Sequence, residues 1–411
     1  MSFDSPRGII ELGNINFKCL IFKINNDNDF EILSTSVIQS EGIHNGVVVN
    51  LVKASKAIRS CISKAENKIK FSLKKINVVI EQPDFLCTKF SKDRKINGSK
   101  IYKEDIEFLL KEAKKQVILN DNKQSIIHIF NHNYIVDGKT FIEEPIGIFA
   151  DYLSHEMTFV TMPKNNIKNI NQVFFDCDIE VERIISCTFS LATQLLNINE
   201  LKFGTTLINI GAEKISLGLF KNLALIHSIT FPVGVSHITK DISKVCLFNM
   251  EESQLMRNKI DYSFENNEEL FDENDYLREF YFKNSSFRKI SKSLIINIVK
   301  ARLDEIFHVI KKQIIETGLN STCGRNLYIT GGGSNLFNLD KYCSNFFGLI
   351  VKNLDKNDAK ERKVEIDESF SACLGALKII KDGWETEAIP KLTDKYSKKT
   401  GFFDKIFGKG L

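Results

Sequence analysis

Two stretches of the chain, about 200 residues apart, share one pattern of apolar and polar positions. Residues 8–23 read G-I-I-E-L-G-N-I-N-F-K-C-L-I-F-K, and residues 207–220 read L-I-N-I-G-A-E-K-I-S-L-G-L-F. Each is an apolar run, an acidic or amide residue, a glycine and a second apolar run, which predicts two strands joined at a tight glycine turn. Two such hairpins predict a duplicated α/β core. Residues 30–39 predict a further strand. Residues 50–71 predict a helix, with Leu51, Ala54, Ile58, Cys61 and Ile62 at helical spacing. Residues 76–80 predict a buried strand that ends near Pro83.

The segment 84–162 differs in character and predicts a small α+β insert. It holds a strand near 85–90, a helix over 103–117, and strands near 125–136 and 155–161. Helices near 164–174 and 189–197 lead to the second hairpin. The polar stretch 249–289 predicts loops with helix, and 290–318 a long amphipathic helix. Residues 327–330 predict a strand running into Gly331-Gly332-Gly333, and 370–381 a closing helix. Residues 382–400 are polar and patternless and read as a linker.

Composition narrows the class. The chain has 411 residues, 43% hydrophobic and 26% charged, enough for two to four packed units at roughly 100–200 residues each. No run reaches the roughly 18 apolar residues of a spanning helix, and Met1 to Arg7 lacks the apolar stretch of a signal peptide. The chain is therefore expected in the cytosol, its nine cysteines reduced. None of them forms a C-x-x-C pair, and no metal site is expected. His128 and His132 stand four apart, but in a run that alternates like a strand. The net charge is +4, and residues 391–411, with six Lys and two Asp, carry +4 by themselves. A balanced body with a locally basic tail argues against nucleic acid as a partner.

Glycine turns supply backbone N–H groups that cradle phosphate oxygens, and nearby carboxylates hold Mg²⁺ through its waters. The two hairpins and the glycine triplet carry this plan, and their residues resemble a family. E-L-G-N-I-N-F-K-C-L-I (11–21), S-E-G-I-H-N-G-V-V-V-N (40–50), E-E-P-I-G-I-F-A (143–150), F-P-V-G-V-S-H-I-T-K-D-I (231–242) and I-T-G-G-G-S-N-L (329–336) are similar to the FtsA family of bacterial cell-division proteins, members of the actin/Hsp70/sugar-kinase superfamily. The resemblance implies an actin-like fold with the nucleotide cleft between two halves. Subdomain 1A would take residues 1–83, 163–203 and 361–381. The 1C insert would take 84–162, subdomain 2A 204–235 and 301–360, and subdomain 2B 236–300. It implies ATP with Mg at Glu11, Gly13, Asn14, Asn16, Asn209, Gly211, Ala212, Gly234, Gln254, Arg257, Gly331, Gly332, Gly333 and Ser334.

The departures bear on that site. The family's first hairpin has Asp, Ser or Thr, and Lys where Glu11, Asn14 and Asn16 stand here. Its second reads Asp-x-Gly-Gly-Gly-Thr, against Asn209-Ile210-Gly211-Ala212-Glu213-Lys214. A metal anchor has become an amide, and Glu213 stands where phosphate oxygens approach. Two like charges about 4 Å apart repel by roughly 1–4 kcal/mol, which Lys214 is expected to offset in part. Phosphoryl transfer depends on positioned charge and metal, so hydrolysis is expected to be very slow or absent. ATP is weakly held or not held, and the alternative that the hairpins persist only as architecture stays open.

Residues 401–411 read G-F-F-D-K-I-F-G-K-G-L. On a helix, Phe402, Phe403, Ile406, Phe407 and Leu411 share one side, flanked by Lys405 and Lys409, which is the pattern of an interfacial helix. It resembles the membrane-targeting tail of the FtsA family. The resemblance further implies binding to the C-terminal peptide of the tubulin-like FtsZ, with Lys292 and Arg302 as candidate contacts. It implies self-association into filaments, attachment to anionic lipid at the septum, and recruitment of later division membrane proteins. A pilus-assembly protein of the PilM type and a sugar or acetate kinase are the alternative readings; Asn209 argues against the kinase.

Overall fold

A computed structural model describes residues 5–25, 30–318, 326–357 and 367–382. They form two compact units. Of these residues, the first draws on 5–203, 218–229 and 370–382, the second on 204–217 and 230–369.

The first unit begins with β1 (Arg7–Leu12), β2 (Asn16–Ile24) and β3 (Phe30–Gln39), each antiparallel to the next. The inward positions Ile9, Ile10, Phe17, Leu20 and Phe22 are buried completely. A small ribbon, β4 (Ile43–His44) and β5 (Val47–Val48), leads to α1 (Leu51–Ile69). The Asn50 side chain accepts from the Lys53 amide and starts this helix. Ala54, Ile58, Cys61, Ile62 and Ala65 form its buried stripe. Next, β6 (Lys75–Ile80) pairs parallel with β1.

The insert follows: β7 (Leu86–Lys100), α2 (Lys103–Asn120), β8 (Gln124–Val136), β9 (Lys139–Phe141) and β10 (Phe149–Pro163). Its sheet has the order β7-β10-β8-β9, with α2 laid across it. Two strands run well past the expected 85–90 and 155–161, since β7 and β10 each hold 15 residues. Strand β7 is at the sheet edge, and its exposed positions carry Lys89, Lys95 and Lys100. Charge on an edge strand blunts pairing with other chains and also erases the apolar alternation that marks a strand.

The chain returns through α3 (Lys164–Phe175), β11 (Glu180–Ser186), α4 (Cys187–Leu195) and α5 (Ile198–Phe203). Strand β11 lies parallel to β6 and completes the order β11-β6-β1-β2-β3. Then come β12 (Thr205–Ile210), β13 (Ile215–Lys221), β14 (Ala224–Phe231), α6 (Val235–Cys246), α7 (Met250–Lys259), α8 (Lys292–Glu316), β15 (Leu327–Thr330), α9 (Leu339–Phe347), β16 (Val351–Asn353) and α10 (Leu354–Asn357). Their sheet, in the order β16-β15-β12-β13-β14, repeats the plan of the first, with β12, β15 and β16 parallel. The duplication expected from the two glycine hairpins is thus a duplication of whole sheets. Strand β14 and β16 had no sequence signal of their own.

The closing helix α11 (Ser371–Asp382) belongs to the first unit and packs on α4. A Cβ at Gly375 would stand 1.8 Å from the Ser190 carbonyl oxygen. Only glycine lets these two helices approach so closely.

Candidate nucleotide site

In the first unit the β1–β2 turn carries Glu11, Gly13, Asn14 and Asn16. The turn is tight: a Cβ at Gly13 would lie 2.6 Å from the Asn16 carbonyl oxygen. The Glu11 carboxylate faces Lys18 on β2 at 3.3 Å. Burial alone would lower the Lys18 pKa; the Glu11 carboxylate outweighs it and raises it. Asn14 donates to Asn45 Oδ1 at 3.0 Å, tying the turn to the β4–β5 ribbon. The acidic residue at the metal-facing position is therefore in an ion pair within its own hairpin.

In the second unit the structure brings Asn209, Gly211, Ala212, Gly234, Gly331, Gly333 and Ser334 together. The Gly211 amide donates to the Lys214 carbonyl at 3.0 Å and closes the β12–β13 turn. The carbonyls of Gly211 and Ala212 then accept from the Val235 and Ser236 amides, the first of α6, at 3.1 and 2.9 Å. A Cβ at Gly234 would lie 2.4 Å from the Ala212 carbonyl oxygen. Gly331, at φ +93°, lies so near the Asn209 amide oxygen that a Cβ would come within 2.3 Å of it. Gly333 donates to the Ile210 carbonyl at 2.8 Å. Gly332, by contrast, borders open space.

Three residues outside the predicted set hold this arrangement. Asp355 accepts from the Gly331 amide at 2.8 Å, the Thr330 hydroxyl at 2.9 Å and the Ser334 hydroxyl at 3.1 Å. Lys240 on α6 places its ammonium 3.1 Å from the Glu213 carboxylate. Ser236 donates its hydroxyl to the Ala212 carbonyl at 2.7 Å. Partial burial alone would raise the Glu213 pKa, but the neighbouring Ser236 hydroxyl and Lys240 overcome this and lower it. Lys240 and Ser236 stand inside the 231–242 string, which marked the region but not their roles. Asp355 carries no sequence signal.

Gln254 is exposed on α7. Arg257 is half-buried there and donates to Thr239 of α6 at 3.1 Å and to Asn258. The other proposed contacts are also engaged. Arg302 grips Asp241 with two nitrogens, at 2.6 and 3.0 Å, and reaches Glu305. Lys292 lies 3.4 Å from Asp275. A partner carboxylate at either cation competes with these intramolecular acids. Residues 402–411, with Phe402, Phe403, Lys405, Ile406, Phe407, Lys409 and Leu411, lie outside the described residues.

The second-unit turn does not fit a magnesium-bound polyphosphate. Asn209 replaces the acid that would anchor metal, Glu213 adds negative charge, and the first amides of α6 are already bonded. The Gly331–Gly333 turn keeps room on the side of Gly332. No cluster of three or more His, Cys, Asp or Glu suited to a metal is present among the described residues. His128 is buried on β8, where its Nε2 accepts from the Ser186 amide at 3.0 Å. Burial first, and Arg183 second, lower its pKa to about 3. No helix among the described residues is long and apolar enough to cross a membrane.

Comparison with known proteins matches these features. The profile "SHS2 domain inserted in FTSA" matches residues 86–161, the span of the insert from β7 to β10, and "Cell division protein FtsA" matches residues 206–375. Together they cover more than half of the chain. The cell division protein FtsA of Buchnera aphidicola subsp. Schizaphis graminum is 24% identical over 82% of this chain and 81% of its own. That of Buchnera aphidicola subsp. Acyrthosiphon pisum is 23% identical over 97% and 94%. That of Bacillus subtilis is 23% identical over 79% and 72%. Among solved structures, a PilM-PilN type IV pilus biogenesis complex aligns at TM-score 0.61 and 10% identity, over 90% of this chain and 98% of its own. MreB5 of Spiroplasma citri bound to ADP aligns at 0.52 and 12%, over 92% and 98%. These two likenesses establish the actin-like fold.

Proposed function

Since the chain belongs to the FtsA family of cell-division proteins, and is itself an actin-like division protein, we propose that it ties FtsZ filaments to the inner face of the cytoplasmic membrane. It does so as a polymer, at the septum, and helps to gather later division membrane proteins there. One observation carries this reading. An actin-like core with the family's insert continues into residues 391–411, which hold the chain's excess positive charge and end in an apolar and basic segment, Phe402 to Leu411. The Buchnera relative aligned over 97% of this chain supports it.

A single tail binds weakly. Each Lys contributes about 1 kcal/mol near anionic lipid, and ordering so short a helix costs entropy. Many tails on one polymer bind by avidity, so filament growth and membrane attachment support each other. Residues 382–400 would span about 25 Å as a flexible chain. ATP, if held at all, plays a minor part, and the core acts as scaffold.

Flotation with anionic liposomes tests the reading. The full chain is expected to float and to bring FtsZ with it, and a chain lacking 401–411 to leave both in the pellet. Unchanged flotation of the shortened chain refutes the anchor. Flotation without FtsZ refutes the tether.

A further inference from the structure

The turn after β12 departs furthest from a phosphate cradle, and its own groups close it. An incoming phosphate seeks backbone amides at a helix start, a hydroxyl and an ammonium. All three kinds of donor stand in the first two turns of α6, as four groups, and each already has an acceptor from this chain. The Val235 amide is bonded to the Gly211 carbonyl, and the Ser236 amide and hydroxyl are bonded to the Ala212 carbonyl. The Lys240 ammonium lies 3.1 and 3.5 Å from the two Glu213 carboxylate oxygens. The closing hydrogen bond from Gly211 to Lys214 keeps the turn that presents Glu213 short. Gly234 can sit beneath it only because it lacks a side chain. On the far side, Asp355 takes the Gly331 amide in the same way.

We infer that this turn carries its own anion: Glu213, paired with Lys240, stands in for a bound phosphate and holds the turn closed without nucleotide. The inference rests on reading residues 209–214 as a phosphate hairpin. It goes beyond a degenerate site, because it makes the closed turn the ground state of the chain and names the group that excludes the ligand. Removing one carboxylate then frees an ammonium on the same helix as the Ser236 amide and hydroxyl, and the turn regains a preference for anions. The recovered ligand class is a phosphate or diphosphate group, with or without a base attached.

Calorimetric titration of the full chain with Mg·ATP, and separately with inorganic pyrophosphate, tests this. The wild-type chain is expected to bind neither more tightly than about 1 mM. Glu213→Ala is expected to bind both at least about tenfold more tightly, a gain of roughly 1.4 kcal/mol. Lys240→Met leaves Glu213 without that ammonium and is expected to lower the melting temperature with no gain of binding. Should Glu213→Ala fail to fold, judged by circular dichroism, Glu213→Gln takes its place, since it keeps the shape and loses the charge. Micromolar binding of Mg·ATP by the wild-type chain overturns the inference and leaves the hairpin reading standing. A folded Glu213 variant that binds no better than wild type overturns both.

Discussion

Glu252 on α7 is almost fully buried, and its carboxylate accepts from the Asn284 amide at 2.7 Å, the Ser285 amide at 2.9 Å, the Asn249 amide at 3.2 Å and the Ser285 hydroxyl. Burial alone would raise its pKa; the Ser285 hydroxyl and the three amides outweigh it and hold it down at about 2. The folded value lies below the ordinary 4.5. Its stabilisation is therefore complete above that value and drains as pH falls towards 2. Thermal melts of the wild-type chain and Glu252→Gln should differ most near pH 6 and converge as pH falls below 3. A gap that stays constant with pH would show that ionisation of Glu252 contributes nothing. At this scale legibility was uneven. Asn50 before an apolar-periodic run announces a helix start. Glu252, Lys240 and Asp355 act on residues 21 to 33 positions away, and no local pattern marks them. Glu213 was visible as a charge out of place, whereas its partner on α6 required the fold.

Helices α4 and α11 meet across 185 residues of sequence, between Ser190 and Gly375. Any side chain at Gly375 must push the two helices apart, and overpacking of this kind costs about 1–3 kcal/mol. Gly375→Leu is expected to lower the denaturant midpoint with little change in slope, while Gly332→Ala, bordering open space, should leave it nearly unmoved. Equal effects from both would refute the close-approach account. Elements with a clear apolar period or a short apolar run were legible to within about two residues: β3, β15 and α8 are examples. The long strands β7 and β10 were not: β7 carries charge along a sheet edge, and the first half of β10, with D-Y-L-S-H-E at 151–156, is too polar to show an apolar alternation. Strand β14 was hidden for another reason. Its A-L-I-H-S-I-T-F follows the second hairpin without a strong break.

For the molecule as a whole, repetition was the most legible property. Two glycine hairpins forecast two sheets, and each sheet sets its hairpin strands beside three parallel strands in the same order. The candidate site was legible as turns and illegible as chemistry. Residue types at Asn209 and Glu213 signalled lost metal and phosphate contacts, while only the structure revealed what satisfied the vacated donors. The proposed membrane attachment makes its prediction at this scale. If avidity sustains it, flotation should fall steeply as protein is diluted and as salt is added, since surface charge is screened over about 10 Å at 0.1 M. Fusing the chain to an unrelated stable dimer should restore flotation at low concentration. A dimer that floats no better than the monomer would rule avidity out.

The first unit is sewn shut by α11, and this sets an order of events during translation. Helix α4 ends at Leu195, yet the helix that covers it begins only at Ser371, more than 170 residues later. At about 5–20 residues per second the interval is on the order of 10–35 s. Throughout it, the face of α4 at Ser190 lacks the helix that packs on it through Gly375. A nascent chain stalled before residue 371 should be bound by chaperones and cut by proteases, and release of the last helix should end that exposure within one step.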